Sequence, residues 1–156
     1  MYFRKNVMLG LAVVLIAGIG FSITLAQEKS SSPSVTYFEH EKVDVSFARN
    51  ATLFGDESGK AKYKVLTGRR DRPGEVEIHN LDTDIFYVLS GTATFVTGGT
   101  PVETKTTMPD EIRGKSIQGG DTHTLTKGDV IIIPAGSPHW FQEVKAPFLY
   151  FVVKVH

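Results

Sequence analysis

Glu77 and His79 stand two residues apart in an alternating segment, Glu75-Val-Glu-Ile-His79, so both side chains leave the same face of a strand. A carboxylate and an imidazole placed together are ligands for a divalent cation, and they are also groups that carry protons. Residues 80–83, Asn-Leu-Asp-Thr, read as a turn, and Asp84 opens the β-rich run 85–89. Two strands thus offer three polar groups to one place. A second stretch, 128–143, holds an apolar run, a Pro/Gly turn and then His139 at the start of another strand. On that strand His139, Phe141 and Glu143 share a face, while Trp140 and Gln142 take the other.

With those faces turned inward, Glu77, Asp84, Glu143, His79 and His139 occupy one small volume. Each uncompensated buried charge costs several kcal/mol, on the order of the whole stability of a small domain, so something must neutralise the carboxylates. A divalent cation does so directly, with Glu77, His79, Asp84 and His139 around it. Cysteine is absent, which excludes thiolate sites and disulfides and leaves only nitrogen and oxygen ligands. Two imidazoles with one or two carboxylates suit one Fe(II), Mn(II), Zn(II) or Ni(II) ion and leave positions open for a substrate. Glu143 then either holds the second nitrogen of a ligating histidine or acts as a catalytic base. The metal-free alternative pairs the carboxylates with Arg69, Arg70 or a lysine and makes His79 a hydrogen-bonded interior residue. In that basic connection, 68–74, Arg69 or Arg70 is either an ordinary loop charge or a ligand for a substrate carboxylate. His40, His123 and His156 are read as surface or packing residues.

The elements that must position these groups are short strands. Segments 43–47 and 61–67 alternate apolar with polar residues around a Gly-Asp-Glu-Ser-Gly turn at 55–59. Residues 84–97 read as a hairpin through Ser90-Gly91. Residues 98–120 show no sustained period and read as a long surface loop, with room for a short turn of helix over 109–117. Strands follow at 122–125, 130–134, 140–144 and 148–153, with Phe86, Phe95, Phe141, Phe148 and Tyr150 mainly in the core. The pattern is all-β, and many short antiparallel strands remove their open edges by closing into a barrel or jelly roll, large enough at about eight strands to hold one small ligand.

The two stretches together resemble the two motifs of the cupin family. The second motif, a Gly, five residues, Pro-any-Gly, two residues, a His, three residues and an Asn, is met at Gly128, Pro134, Gly136 and His139, with Glu143 in place of the Asn. The first, a Gly, five residues, His-any-His, a few residues, a Glu, six residues and a Gly, is met at His79 and Gly91. Glu77 replaces its first His, Asp84 replaces its Glu, and the opening Gly lies closer, at Gly74. The resemblance implies a single-domain antiparallel jelly-roll barrel with a metal at Glu77, His79, Asp84 and His139. It implies an enzyme of oxygenase, isomerase or lyase type acting on a small oxygen-rich molecule, or else a non-catalytic cupin that binds a metal or small ligand. Cupins commonly pair through sheet faces, and Ile85, Tyr87 and Leu89 offer an outer apolar surface for a homodimer.

The 156 residues suit one domain, with 17 basic and 17 acidic residues and no basic cluster of the kind that binds nucleic acid. Small molecules are the expected partners. At the N-terminus Arg4 and Lys5 precede an apolar run over 7–26, and Thr24-Leu25-Ala26 places small residues before Gln27. Residues 1–26 read as a signal peptide for an exported, periplasmic or secreted, protein that leaves the membrane after cleavage. The same run, at about 20 residues, is long enough for an uncleaved membrane anchor. Residues 27–42 read as a flexible segment rich in Ser, and 43–156 as the barrel domain.

Overall fold

The computed structural model describes residues 34–55 and 61–156. The expected signal peptide, residues 27–33 of the expected flexible segment and most of the expected turn at 55–59 lie outside the described residues. One helix precedes a series of strands: α1 (His40–Phe47), β1 (Thr52–Phe54), β2 (Tyr63–Arg70), β3 (Val76–His79), β4 (Thr83–Thr97), β5 (Thr100–Val102), β6 (Lys105–Met108), β7 (Glu111–Gly114), β8 (Ser116–Gln118), β9 (Asp121–Thr126), β10 (Val130–Ile133) and β11 (His139–Val155). Every pairing among them is antiparallel. The all-β jelly-roll barrel expected from the strand pattern is what the chain forms, as one curled sheet with a small two-stranded annex of β5 and β8.

Two long strands organise the sheet. β4 and β11 pair along nearly their whole lengths, from His139 opposite Thr97 to Val155 opposite Thr83. On its other side β11 pairs with β3 at its start and with β2 from Phe148 onward. β9 and β10 pair with the two halves of β4, and β7 joins β3 to β6. The inward positions of the long strands carry Phe86, Val88, Phe95, Phe141, Phe148 and Tyr150, all buried, with rings meeting at centroid distances of 4.6–6.0 Å. Edge-to-face and tilted contacts dominate this aromatic core, as the ring quadrupoles prefer.

Three expectations are corrected. Residues 43–47 belong to α1 and not to a strand: Val43 and Phe47 are also spaced i, i+4, and a five-residue pattern is too short to separate the two periods. Phe47 packs on Phe151, at 5.5 Å between ring centroids, while Val45 is turned out to solvent. The chain does not reverse at Ser90-Gly91. Gly91 takes φ +87° and kinks β4, which keeps its pairing with β11 on both sides of the bend. Residues 98–120 hold β5 to β8, with no helical turn. All four residues of β6 are exposed, so no hydropathy alternation betrays it.

Gly68 on β2 lies under the Tyr150 ring, and a Cβ there would stand 2.4 Å from the ring's Cζ. Gly68→Ala is therefore expected to destabilise the fold by about 1–3 kcal/mol, the range for overfilling a packed interior. Urea denaturation checks this, and a midpoint equal to wild type would mean that Tyr150 has room to move.

Candidate metal centre

The site is assembled by strand register. His139 is the cross-strand partner of Glu77, Glu77 of Arg113, and His79 of Glu111. Asp84 is the partner of Lys154 where β4 meets the end of β11. Side chains directly opposite on adjacent strands lie within reach of one another, so the pairing that forms the sheet also brings the charges together. The Pro134-to-Gly136 turn is tied to β3 by a hydrogen bond from the Gly136 N–H to the His79 carbonyl, 2.8 Å, which seats the start of β11 beside His79.

Glu77, His79 and His139 each offer a ligand atom, and these atoms all lie within 4.8 Å of one another. The two imidazole rings are 5.2 Å apart, and both are buried. His139 Nδ1 faces the Ser137 carbonyl oxygen at 3.1 Å. A carbonyl only accepts, so in the neutral ring the proton sits on Nδ1 and the lone pair on Nε2. His79 Nδ1 faces Glu111 Oε1 at 3.4 Å. Neither Nε2 has a hydrogen-bond partner although both are buried. His79 Nε2 lies 3.5 Å from Glu77 Oε2 and 3.5 Å from Asp84 Oδ2, too far for a good hydrogen bond. Unpartnered buried polar atoms are rare, and here two of them share one small space with carboxylate oxygens. That space draws positive charge, and its donors fit a borderline divalent ion.

The carboxylates are also paired by the protein itself. Glu77 Oε1 accepts from Arg70 Nη2 at 2.8 Å and lies 2.7 Å from Arg113 Nη1. Arg113 Nη2 donates to Glu111 at 2.6 Å. Lys154 Nζ spans both oxygens of Asp84, at 2.8 and 3.0 Å. Arg70 also donates to the Tyr150 hydroxyl at 3.2 Å, and its guanidinium carbon lies 4.3 Å from the Phe141 ring centre. Burial alone would raise the Glu77 carboxyl, but the His79 ring, Arg70, Arg113 and the His139 ring outweigh it and hold it far below the usual carboxylate range. Burial lowers His139, against the opposing pull of Glu77, the Ser137 carbonyl and Asp84. Burial likewise raises the Tyr150 hydroxyl against the neighbouring Arg70.

Stability should therefore fall on acidification in two stages. Below the ordinary histidine value of 6.5 the unfolded chain protonates at His139 before the folded chain does. Below the ordinary carboxyl value of 4.5 the same holds for Glu77. Both folded values are depressed, so both losses run toward acid. Urea midpoints at pH 8, 5.5 and 4 measure this, and a midpoint that stays flat or rises as the pH drops would contradict it.

Of the predicted residues, Glu77, His79 and His139 converge. Asp84 approaches His79, but Lys154 engages both of its oxygens, and it is not one of the three whose ligand atoms cluster. Glu143 is not brought to the site. Between Phe141 and Glu143 the register slips, so β11 advances two residues while β4 advances one, from Phe95 to Thr94. This bulge at Gln142 inverts the side-chain phase and turns Glu143 out to solvent, where it accepts a long 3.4 Å contact from Thr94 Oγ1. Glu75 precedes β3 and pairs with Lys105 at the surface. Arg69 pairs with Asp71 at the surface, and His123 and His40 are exposed. His156 meets Asp82 at 2.5 Å. Sequence reasoning missed Glu111, Arg113 and Lys154. For the first two the clue was present: Glu111-Ile-Arg113 has the same two-residue spacing as Glu77 and His79.

The sequence profile described as Cupin matches residues 75–156, just over half of the chain. No curated protein matches significantly. Similar solved structures include a β-barrel nucleoside dehydratase (12% identical, 60% of this chain and 59% of that one, TM-score 0.42). Another is the DMSP lyase DddQ of Ruegeria pomeroyi (18%, 68% and 45%, TM-score 0.48). A third is a cupin-like protein of Thermotoga maritima (19%, 67% and 65%, TM-score 0.44). The chain spans less than two thirds of the length of each.

Proposed function

Because the chain belongs to the cupin family, we propose that it is an exported metal-binding cupin in which Glu77, His79 and His139 hold one Fe, Mn, Zn or Ni ion and which acts on a small oxygen-rich molecule. The observation that carries the reading is the pair of buried, unpartnered Nε2 atoms of His79 and His139 beside a carboxylate. Bound there, a divalent ion supplies a Lewis acid and a template for substrate oxygens. The chain's own residues do the rest. Glu111 and the Ser137 carbonyl face the outer nitrogens of the two rings, Arg70 and Arg113 fix Glu77, and Phe86, Phe95 and Phe141 wall the interior side against water. The charge and hydropathy of residues 1–26 support export.

A second reading, a cupin that binds a small ligand without a metal, is favoured by Arg70, Arg113 and Lys154, which already neutralise the carboxylates. Elemental analysis separates the two. Protein expressed without a chelator is expected to carry close to one divalent ion per chain. Protein that carries none, and takes up none on dialysis against Fe(II), Mn(II), Zn(II) and Ni(II), would leave only the metal-free reading.

A further inference from the structure

Resting on the metal-binding reading, we infer that the loaded site selects an anionic, carboxylate-bearing ligand over a neutral one of the same shape. Charge balance carries the inference. Three carboxylates, Glu77, Asp84 and Glu111, face the two histidines, and three cations, Arg70, Arg113 and Lys154, pair with them at 2.6–3.0 Å. The protein therefore enters the loaded state already near neutral at this site. A divalent ion between neutral imidazoles then leaves about two positive charges that nothing in the first set of residues cancels. At low local dielectric an uncompensated charge is costly, and the remedy left to the site is a ligand that brings negative charge with it.

The direction of approach agrees. Arg113 and Arg70 are the most accessible members of the cluster, with side chains 24% and 21% accessible, a little above Glu77 at 18%, Lys154 at 16% and Glu111 at 14%, and well above His79 at 9% and Asp84 at 3%. The two guanidinium groups are thus at least as open to an incoming group as the carboxylates they pair with. A guanidinium presents a planar fork of donors that matches a carboxylate, so the entrance favours the same charge as the interior. Without the arginines the arrangement would be different in kind: Glu77 and Glu111 would cancel the ion themselves, and a neutral diol or carbonyl would serve.

Glycolate and glycolamide test this, because they share a skeleton and two oxygens and differ in charge. The full-length protein is loaded with Co(II), uptake is read from its visible absorption, and each compound is titrated by calorimetry at low and high salt. Glycolate is expected to bind at least tenfold more tightly than glycolamide, with the gap narrowing in high salt. A bare divalent ion also prefers the anion, so Arg113→Met provides the control that assigns the preference to the protein. Once its Co(II) content is shown to match wild type, this variant should lose about tenfold in glycolate affinity and change little toward glycolamide. Equal affinities in the wild type, or an equal loss for both compounds in Arg113→Met, would overturn the inference. Failure of Co(II) to enter at all is seen before any ligand is added and removes the metal-binding reading with it. Should Arg113→Met fail to fold, the wild-type preference measured against that of Co(II) in buffer decides, and a preference no larger than the free ion's overturns the inference.

Discussion

His79→Ala and His139→Ala are each expected to abolish metal binding while the barrel remains folded. Each removes one of only two nitrogen donors in a set of three ligand atoms. Loss of a residue that merely orients a ligand costs about 10–100-fold in metal affinity, and loss of the ligand itself must exceed that. The fold should survive because Nε2 of either ring makes no hydrogen bond in the metal-free chain, and each variant gives up a single outer contact, His139 Nδ1 to the Ser137 carbonyl at 3.1 Å or His79 Nδ1 to Glu111 at 3.4 Å. His139→Ala leaves a cavity beside Phe86 and Phe95, and it should cost more stability than His79→Ala. Metal content by elemental analysis, alongside circular dichroism, is the check. Unchanged metal content in both variants would refute the assignment of the centre.

The second large effect concerns Glu77. Replacing it by His restores the family motif, and from the sequence alone such a variant should retain metal and shift the preferred ion. The structure adds a cost. Glu77 is the shared counter-ion of Arg70 and Arg113, and its removal leaves Arg70 with the neutral Tyr150 hydroxyl and Arg113 with Glu111, both against a new imidazole. Breaking a buried pair costs about 3–5 kcal/mol, and partial exposure of both arginines brings the expected loss to about 2–3 kcal/mol. Glu77→His with Arg70→Leu should recover part of it, since one stranded charge is then gone. Thermal and urea unfolding of the single and double variants measure the effect. A single variant as stable as wild type would show that the arginines do not depend on Glu77.

Much of the fold was legible because its signals are local. Val76 to His79 alternates over a single strand, Pro134 to Gly136 marks a turn, and Phe86, Phe95, Phe141, Phe148 and Tyr150 fall on inward positions of β4 and β11. The same locality explains the core of the site, since Glu77 and His79 share a strand and His139 opens the one beside it. What could not be read depends on pairing between distant segments. Lys154 is an ordinary lysine in the sequence and becomes the partner of Asp84 only through the β4–β11 register. Glu143 is two residues from Phe141 and should share its face, and only a slip against β4 turns it away. Residues 43–47 satisfy two periods at once, and the choice between them is made by packing of Phe47 on Phe151, more than a hundred positions away.

The partnership of β11 with β2, β3 and β4 has a kinetic consequence. Every one of its neighbours was laid down far earlier in the chain, so on a ribosome those strands must wait, unpaired along one side, until β11 emerges. Chains dominated by such distant contacts refold in roughly milliseconds to seconds, much more slowly than helical ones. During that interval bare strand edges invite the wrong neighbour, and helper proteins that shield them would raise the yield of folded molecules.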